Sequence, residues 1–153
     1  ANRVPAVALR FATRLPNASN ETGLGLDTMD FFQSLLVAKT VQSIRVVGNV
    51  GFGILSDPIR GDRQNDVLTL GVSVARALTD QAEVVGEVNG RISTRRGVPP
   101  PGTESRGAMT IGLRYTRGAV RVDGGLFAGL TTLDPRVGAT AGLTWVFESF
   151  LTP

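Results

Sequence analysis

The sequence predicts an all-β protein, an antiparallel up-and-down β-barrel of eight strands, because three features of the chain agree. Eight segments alternate apolar residues with polar or small ones at the period of two that is typical of a strand. The connections between these segments alternate in length along the chain. The sequence contains no run of about 18 apolar residues, so no membrane-spanning helix is predicted. The 153 residues are enough for one domain.

Each strand is predicted from its own alternation, and seven of the eight have one clearly apolar face. The second segment, from about residue 29 to residue 39, is apolar on both faces and both orientations fit. We favour the orientation with Asp30, Ser34 and Ala38 on the inward, polar side. In chain order, the residues predicted on the apolar face are Val7, Leu9 and Phe11; Phe31, Leu35 and Val37; Ile44, Val46, Val50, Phe52 and Ile54; Leu68, Leu70, Val72 and Val74; Val84, Val88 and Ile92; Met109, Ile111, Leu113 and Tyr115; Val120, Val122, Leu126 and Leu130; and Val137, Ala139, Ala141, Leu143, Trp145 and Phe147.

The connections favour a barrel that spans a bacterial outer membrane. Such barrels have short periplasmic turns and longer external loops. The predicted connections are long at 16–27, 56–66 and 94–106, short at 40–43, 78–81 and 117–119, and intermediate at 131–136. An even number of strands then places both termini in the periplasm.

A water-soluble barrel or sandwich is the alternative, since its strands alternate in the same way. The polar face of a soluble barrel would lie outside, where Lys and Glu usually dominate. Here that face is mainly Gly, Ala, Ser and Thr with a few Arg, Glu and Asp residues. This composition favours a narrow interior with ion pairs and an aliphatic face toward lipid.

The last predicted strand resembles the C-terminal insertion signal of bacterial outer-membrane barrels. The signal requires a polar residue, a glycine, a hydrophobic or aromatic residue and a final aromatic residue. These positions are occupied by Thr140, Gly142, Trp145 and Phe147. The resemblance implies recognition by the barrel-assembly machinery. The chain departs from the signal in continuing to Pro153.

Three further segments, at 15–32, 65–68 and 112–115, resemble the outer-membrane transporters grouped as the meta-pathway phenol-degradation family. The resemblance implies the passage of small molecules, including aromatic ones, across the outer membrane. It defines no binding residue that can be transferred to this chain. Members are usually longer, so residues 1–153 form either a complete single barrel domain or the C-terminal eight strands of a larger barrel with additional strands or subunits.

The composition excludes several kinds of chemistry. The chain has no Cys and no His, which excludes disulfides, Ser-His or Cys-His catalysis and histidine-ligated zinc. We therefore predict no catalytic, cofactor-binding or metal-binding residues and no enzyme activity. The net charge is +3, but the arginines are scattered among few aromatic residues, which disfavours binding to nucleic acid.

The inward charged residues are the candidate functional set. Those predicted to line the lumen are Arg10, Arg45, Glu83, Glu87, Arg91, Arg114 and Asp123, with Arg14 and Arg121 on the same face. Such charges either tune solute selectivity or pair with one another inside a filled barrel. Our hypothesis places Arg45, Glu87, Arg91 and Arg114 near a constriction.

The predicted function is a passive channel or transporter for small solutes in the outer membrane. The alternative is a structural barrel with a plugged lumen that anchors or scaffolds a complex. Besides the bilayer, lipopolysaccharide is an expected partner, because Arg95, Arg96 and Arg106 in the long 94–106 connection suit its phosphates.

Overall fold

The computed structural model describes residues 4–17, 21–22, 24, 27–60 and 63–147, and these contain eight strands. Their bounds are β1 (Ala6–Arg14), β2 (Asp30–Val41), β3 (Ile44–Ser56), β4 (Gln64–Ala77), β5 (Ala82–Ser93), β6 (Arg106–Arg117), β7 (Val120–Gly129) and β8 (Val137–Trp145). Among the described residues, no helix is long and apolar enough to cross a membrane.

The eight strands form one sheet in chain order, and each is antiparallel to its neighbours. The predicted all-β, up-and-down arrangement is therefore confirmed. The predicted closure is absent from the sheet: β1 and β8 are its two edges, and their described residues do not pair with each other. The structure is thus an open sheet of eight strands.

The connections alternate in length as predicted. Gln42 and Ser43 alone join β2 to β3, and Gly118 and Ala119 alone join β6 to β7. Gly118 has φ of 57°, a left-handed conformation that costs glycine little because it has no Cβ. The short turns lie at one end of the sheet, the turn end, and the long connections lie at the other, the loop end.

The strand register places the predicted faces on opposite sides of the sheet. Arg10 of β1 lies opposite Ser34 of β2, and Arg14 lies opposite Asp30. The favoured orientation of β2 is therefore confirmed.

Each strand is shifted by about one residue, along the strand direction, relative to the strand before it. A path across the hydrogen-bonded partners starts at Ala6, at the turn end of β1, and reaches Gly138, at the loop end of β8. With about 3.4 Å per residue and about 4.8 Å between strands, this stagger corresponds to a strand tilt of about 35°. Barrel strands are tilted by a similar angle.

The apolar face is not covered by protein. Leu55, Val67 and Ala75 are the buried hydrophobic residues of the described chain. By contrast, Ile111 and Leu143 on the apolar face are 63% and 72% exposed. The hydrophobic residues therefore do not form the core expected of a soluble sandwich.

Candidate functional site

Most strand charges lie on the polar face. Of the charged residues in the eight strands, Lys39, Arg76 and Arg117 point outward near the turn end and Asp66 points outward near the loop end. The remainder share the inward face: Arg10, Arg14, Asp30, Arg45, Glu83, Glu87, Arg91, Arg106, Arg114, Arg121 and Asp123. The middle of the outward face is therefore free of charge.

A three-residue ion-pair network occupies the turn end of the polar face. Glu83 Oε1 lies 2.9 Å from Arg114 Nη1, and Glu83 Oε2 lies 3.4 Å from Arg45 Nη2. Arg45 is on β3 and Glu83 is on β5, so the second pair crosses β4. The small Ala75, opposite Arg45 on β4, leaves room for this contact. The network therefore joins β3, β5 and β6 from the inside and spans the intervening strand β4.

A second ion pair lies at the loop end. Asp30 is 1% exposed, and its Oδ2 lies 2.5 Å from Arg14 Nη2. The other oxygen, Oδ1, accepts a hydrogen bond from the backbone N–H of Ser56 at 3.1 Å. Burial of a carboxylate requires such partners, and here they fix the last residues of β1 and β3 to the first residue of β2 at the loop end.

The connection between β5 and β6 is bound to the loop end by two polar side chains. Asn65 is 3% exposed, and its Nδ2 donates to Ser93 Oγ at 2.9 Å, to Thr103 O at 3.1 Å and to Thr103 Oγ1 at 3.0 Å. Arg91 donates from Nε to Glu104 O at 3.0 Å and from Nη2 to Gly102 O at 2.7 Å. Residues 102–105 are therefore held against the interior by hydrogen bonds to β4 and β5.

Asp134 orders the connection between β7 and β8. Its Oδ2 accepts hydrogen bonds from Gly107 N at 2.9 Å, Thr131 N at 3.1 Å and Thr131 Oγ1 at 2.6 Å. The bond from the Thr131 hydroxyl, then the bond from Gly107 N, lower the pKa of Asp134 below its usual value. Arg106 lies 3.7 Å from Asp134 Oδ1 and also donates to Leu133 O.

The polar face curves around an open cavity of about 800 Å³ near the loop end. The cavity is lined from several sides of the sheet, with Arg10 on β1, Phe32 on β2, Glu87 and Arg91 on β5 and Arg106 on β6. A smaller pocket of about 180 Å³ lies nearer the turn end and includes Glu87 and Arg114. The arrangement offers a polar space in which a small solute would meet both signs of charge.

Two inward aromatic rings lie against glycines of the neighbouring strand. A Cβ at Gly53 would lie 2.7 Å from the ring of Phe32, and one at Gly138 would lie 2.2 Å from the ring of Phe127. Both contacts need a residue without a side chain. The rings therefore cover the backbone of β3 and β8 and reduce the free width of the interior.

The structure separates the residues that the sequence grouped at one constriction. Arg45 and Arg114 meet through Glu83 at the turn end, whereas Arg91 binds loop carbonyls at the loop end. Glu87 lies between them and accepts a hydrogen bond from Asn89 Nδ2 at 2.5 Å. The four residues of the hypothesis therefore do not form a single ring of charge.

Arg10 and Asp123 lie close to the two edges, and neither forms an ion pair with any residue that the structure describes. Arg10 is on the edge strand β1. Asp123 is on β7, and its oxygens lie 2.6 Å and 2.9 Å from the position that a Cβ on Gly142 of β8 would take. The Asp123 carboxylate therefore lies over the edge strand β8.

The residues of the insertion signal lie in or just after β8. Thr140 and Gly142 are on the inward face, opposite Gly125 and Asp123. Trp145 ends β8, and its ring stacks on that of Phe147 with 4.9 Å between the ring centroids. Both aromatic side chains are exposed.

Sequence reasoning missed the distribution of outward aromatic residues. Phe11, Phe31 and Phe52 lie toward the loop end, and Tyr115 and Trp145 lie at the turn end. Most outward positions between them are aliphatic or glycine; on β2 the outward residues also include Gln33 and Lys39. The placement of each aromatic residue within its predicted strand was the signal that would have revealed the two rows.

Sequence reasoning also placed Arg106 in an external loop with Arg95 and Arg96. The structure corrects this placement, because Arg106 begins β6 and lines the cavity. Arg95 remains in the connection, where its Nη2 donates to Gln64 O at 3.2 Å. The role of Asp134 had no sequence signal, because it depends on a loop conformation.

No group of His, Cys, Asp or Glu residues suited to a metal ion occurs in the described part of the chain. No protein-family model, no curated protein and no solved structure matches this sequence. The two faces of the sheet are therefore the main indication of function.

Proposed function

We propose that this chain is a non-enzymatic β-barrel of the bacterial outer membrane that passes small solutes through a polar lumen. In this proposal the long connections are external, the short turns and both termini are periplasmic, and the barrel-assembly machinery recognises β8. The observation that carries the proposal is the outward face: an exposed, uncharged aliphatic belt with aromatic rows at both ends, as lipid requires.

The polar face supports the solute pathway. The cavity of about 800 Å³ is lined by Ser34, Asn49 and Thr69 together with charged groups. Hydroxyl, amide and charged side chains replace the hydration of a small polar solute, and charge decides which ions enter. The resemblance to the phenol-degradation transporters favours small molecules, including aromatic ones, as the solutes.

A plugged anchor is the second candidate, and two observations favour it. The Arg45–Glu83–Arg114 network crosses the interior at the turn end. Residues 102–105 are bound toward the interior at the loop end. An eight-stranded barrel has a lumen that side chains can fill, so both ends would be blocked in this alternative.

Conductance in planar bilayers separates the two candidates. A channel produces discrete conductance steps, whereas a plugged anchor produces none. In the channel, Glu87→Gln combined with Arg114→Gln removes one charge of each sign from the lining and changes conductance or ion selectivity. Unchanged conductance and selectivity in this variant would refute the assignment of these two residues to the pathway.

Vesicle flotation and gel mobility distinguish a membrane barrel from a soluble protein before conductance is measured. The chain is folded in detergent and mixed with phospholipid vesicles, and its flotation with the vesicles is measured. Heating before electrophoresis then changes the mobility of a stable membrane barrel. A chain that stays folded without detergent and does not float would contradict the proposal.

A further inference from the structure

The two edges of the sheet expose unpaired backbone groups. The outer N–H and C=O groups of β1 and β8 have no strand partner among the described residues. In a bilayer such groups must be paired, since lipid offers no hydrogen bonds. The following inference rests on the proposed membrane location, and it concerns what pairs with these edges.

The stagger of the sheet restricts how β1 and β8 can meet. β1 runs from the turn end to the loop end and β8 runs back, so they would pair antiparallel. Side chains must match inward with inward. The path from Ala6 returns at Gly138, near the loop end of β8. If β1 and β8 pair where they lie at the same height in the barrel, two registers are possible. Arg10 lies opposite Gly142 in the first register and opposite the next inward residue, Thr144, in the second.

Both registers bring Arg10 close to Asp123, an inward carboxylate that, like Arg10, has no ion-pair partner among the described residues. The Asp123 carboxylate extends from β7 over Gly142 of the edge strand β8. Arg10 would approach from the other side of β8 and reach across it. The same reach occurs in the Arg45–Glu83 pair, which crosses Ala75 of β4 with an N–O distance of 3.4 Å.

The curvature of the sheet favours closure within one chain. Arg10 on β1 and Arg91 on β5 line the same cavity. In an eight-stranded barrel β1 and β5 face each other across a narrow lumen, whereas barrels with about sixteen strands enclose a wide aqueous channel.

We propose that in the membrane β1 and β8 of the same chain pair with each other, and that Arg10 and Asp123 form an ion pair across this junction. The junction closes the barrel with eight strands, without strands from a second copy or another subunit.

Cysteine cross-linking tests the pairing, because the chain has no cysteine of its own. Ala8→Cys is combined with Thr144→Cys for the first register or with Val146→Cys for the second. The control combines Ala8→Cys with Thr140→Cys, which is offset along β8 in both registers. Each variant is bound to vesicles and oxidised, and the electrophoretic mass and the remaining free thiols are measured.

We expect one of the two matched pairs to lose both thiols while the chain stays monomeric, with the control pair remaining reduced. A cross-linked species of twice the mass would overturn the proposal in favour of closure by a second copy. No cross-link in either matched pair, or equal cross-linking of the control, would also overturn it.

A charge exchange tests the ion pair. Arg10→Glu and Asp123→Arg should each lower the temperature at which the folded band is lost on electrophoresis, and the double exchange should restore most of the loss. As a control, Arg121→Glu combined with Asp123→Arg should give no restoration. Absence of restoration in the Arg10–Asp123 exchange would refute the pair.

Vesicle flotation of the unsubstituted chain tests the membrane location independently of the β1–β8 junction. Failure to float would refute the membrane location and the junction with it. Flotation without a matched intramolecular cross-link would refute only the junction and would leave the membrane barrel in place.

Discussion

The carboxylate of Glu83 on β5 lies 3.4 Å from the guanidinium of Arg45 on β3, across the intervening strand β4. The same carboxylate contacts Arg114 on β6 at 2.9 Å. One acidic side chain therefore balances two arginines, and its removal leaves two partly buried positive charges close together.

We expect Glu83→Gln to lower the free energy of unfolding by about 1–2 kcal/mol, between the values for exposed and buried ion pairs. Urea unfolding in detergent micelles or vesicles measures this change. Glu87→Gln is the matched control, because the Glu87 carboxylate forms no ion pair in the described structure and accepts its hydrogen bond from Asn89. Equal destabilisation by the two variants would contradict a specific role of the network.

Asn65 holds the β5–β6 connection, and its truncation should release that connection. Asn65→Ala removes the hydrogen bonds to Ser93 and Thr103 inside a buried site, at a cost of about 1–3 kcal/mol. We expect faster cleavage by trypsin after Arg95 and Arg96 in the vesicle-bound protein.

The control is Asn49→Ala, because Asn49 lies on the same inward face and lines the cavity but forms no hydrogen bond to the β5–β6 connection among the described residues. Cleavage at the same rate in Asn65→Ala, Asn49→Ala and the unsubstituted chain would show that Asn65 does not hold the connection.

The faces of the strands could be predicted from the sequence because a period of two is a local property. Ser34 and Leu35 point to opposite sides for this reason, even though β2 is apolar on both faces. The order of the strands also followed, since short turns force chain neighbours to pair antiparallel.

The contacts of the loops could not be predicted, because they depend on residues far apart in the chain. Asn65 meets Thr103 through a connection with no alternation, and Asp134 meets Gly107 across the loop end. The ion pairs had the same limitation. The sequence placed Arg45 and Glu83 on one face, but only the register shows that they meet across β4.

The β7–β8 connection should loosen in acid, because the pKa of Asp134 is lowered by its hydrogen bonds with Thr131 and Gly107. A carboxylate with a lowered folded-state pKa contributes stability above its usual pKa of 3.8 and loses it as pH falls through the lower folded value. The protection of the Gly107 and Thr131 amides against hydrogen exchange, measured relative to their intrinsic rates at each pH, should therefore fall below about pH 4.

Asp134→Asn is expected to remove most of this pH dependence, since the amide does not titrate. Asp57→Asn is the control. The Asp57 carboxylate accepts hydrogen bonds from Ile59 N and Arg60 N in a different connection, so its loss should change exchange only there. A loss of protection at Gly107 that persists in Asp134→Asn with the same pH profile would contradict the assignment.

A charge in the middle of the outward belt distinguishes lipid from water as the surroundings of that face. Val72 on β4 is 53% exposed and lies far from the outward charges at the strand ends. In water, Val72→Arg should leave the free energy of unfolding nearly unchanged, since surface substitutions rarely exceed about 0.5 kcal/mol. In a bilayer the same change should cost about 2–4 kcal/mol near the midplane. Ser73→Arg, one residue along and on the inward face, is the control and should cost less. Unfolding of the vesicle-bound chain in urea measures both variants, and a negligible effect of Val72→Arg would exclude contact between this face and lipid.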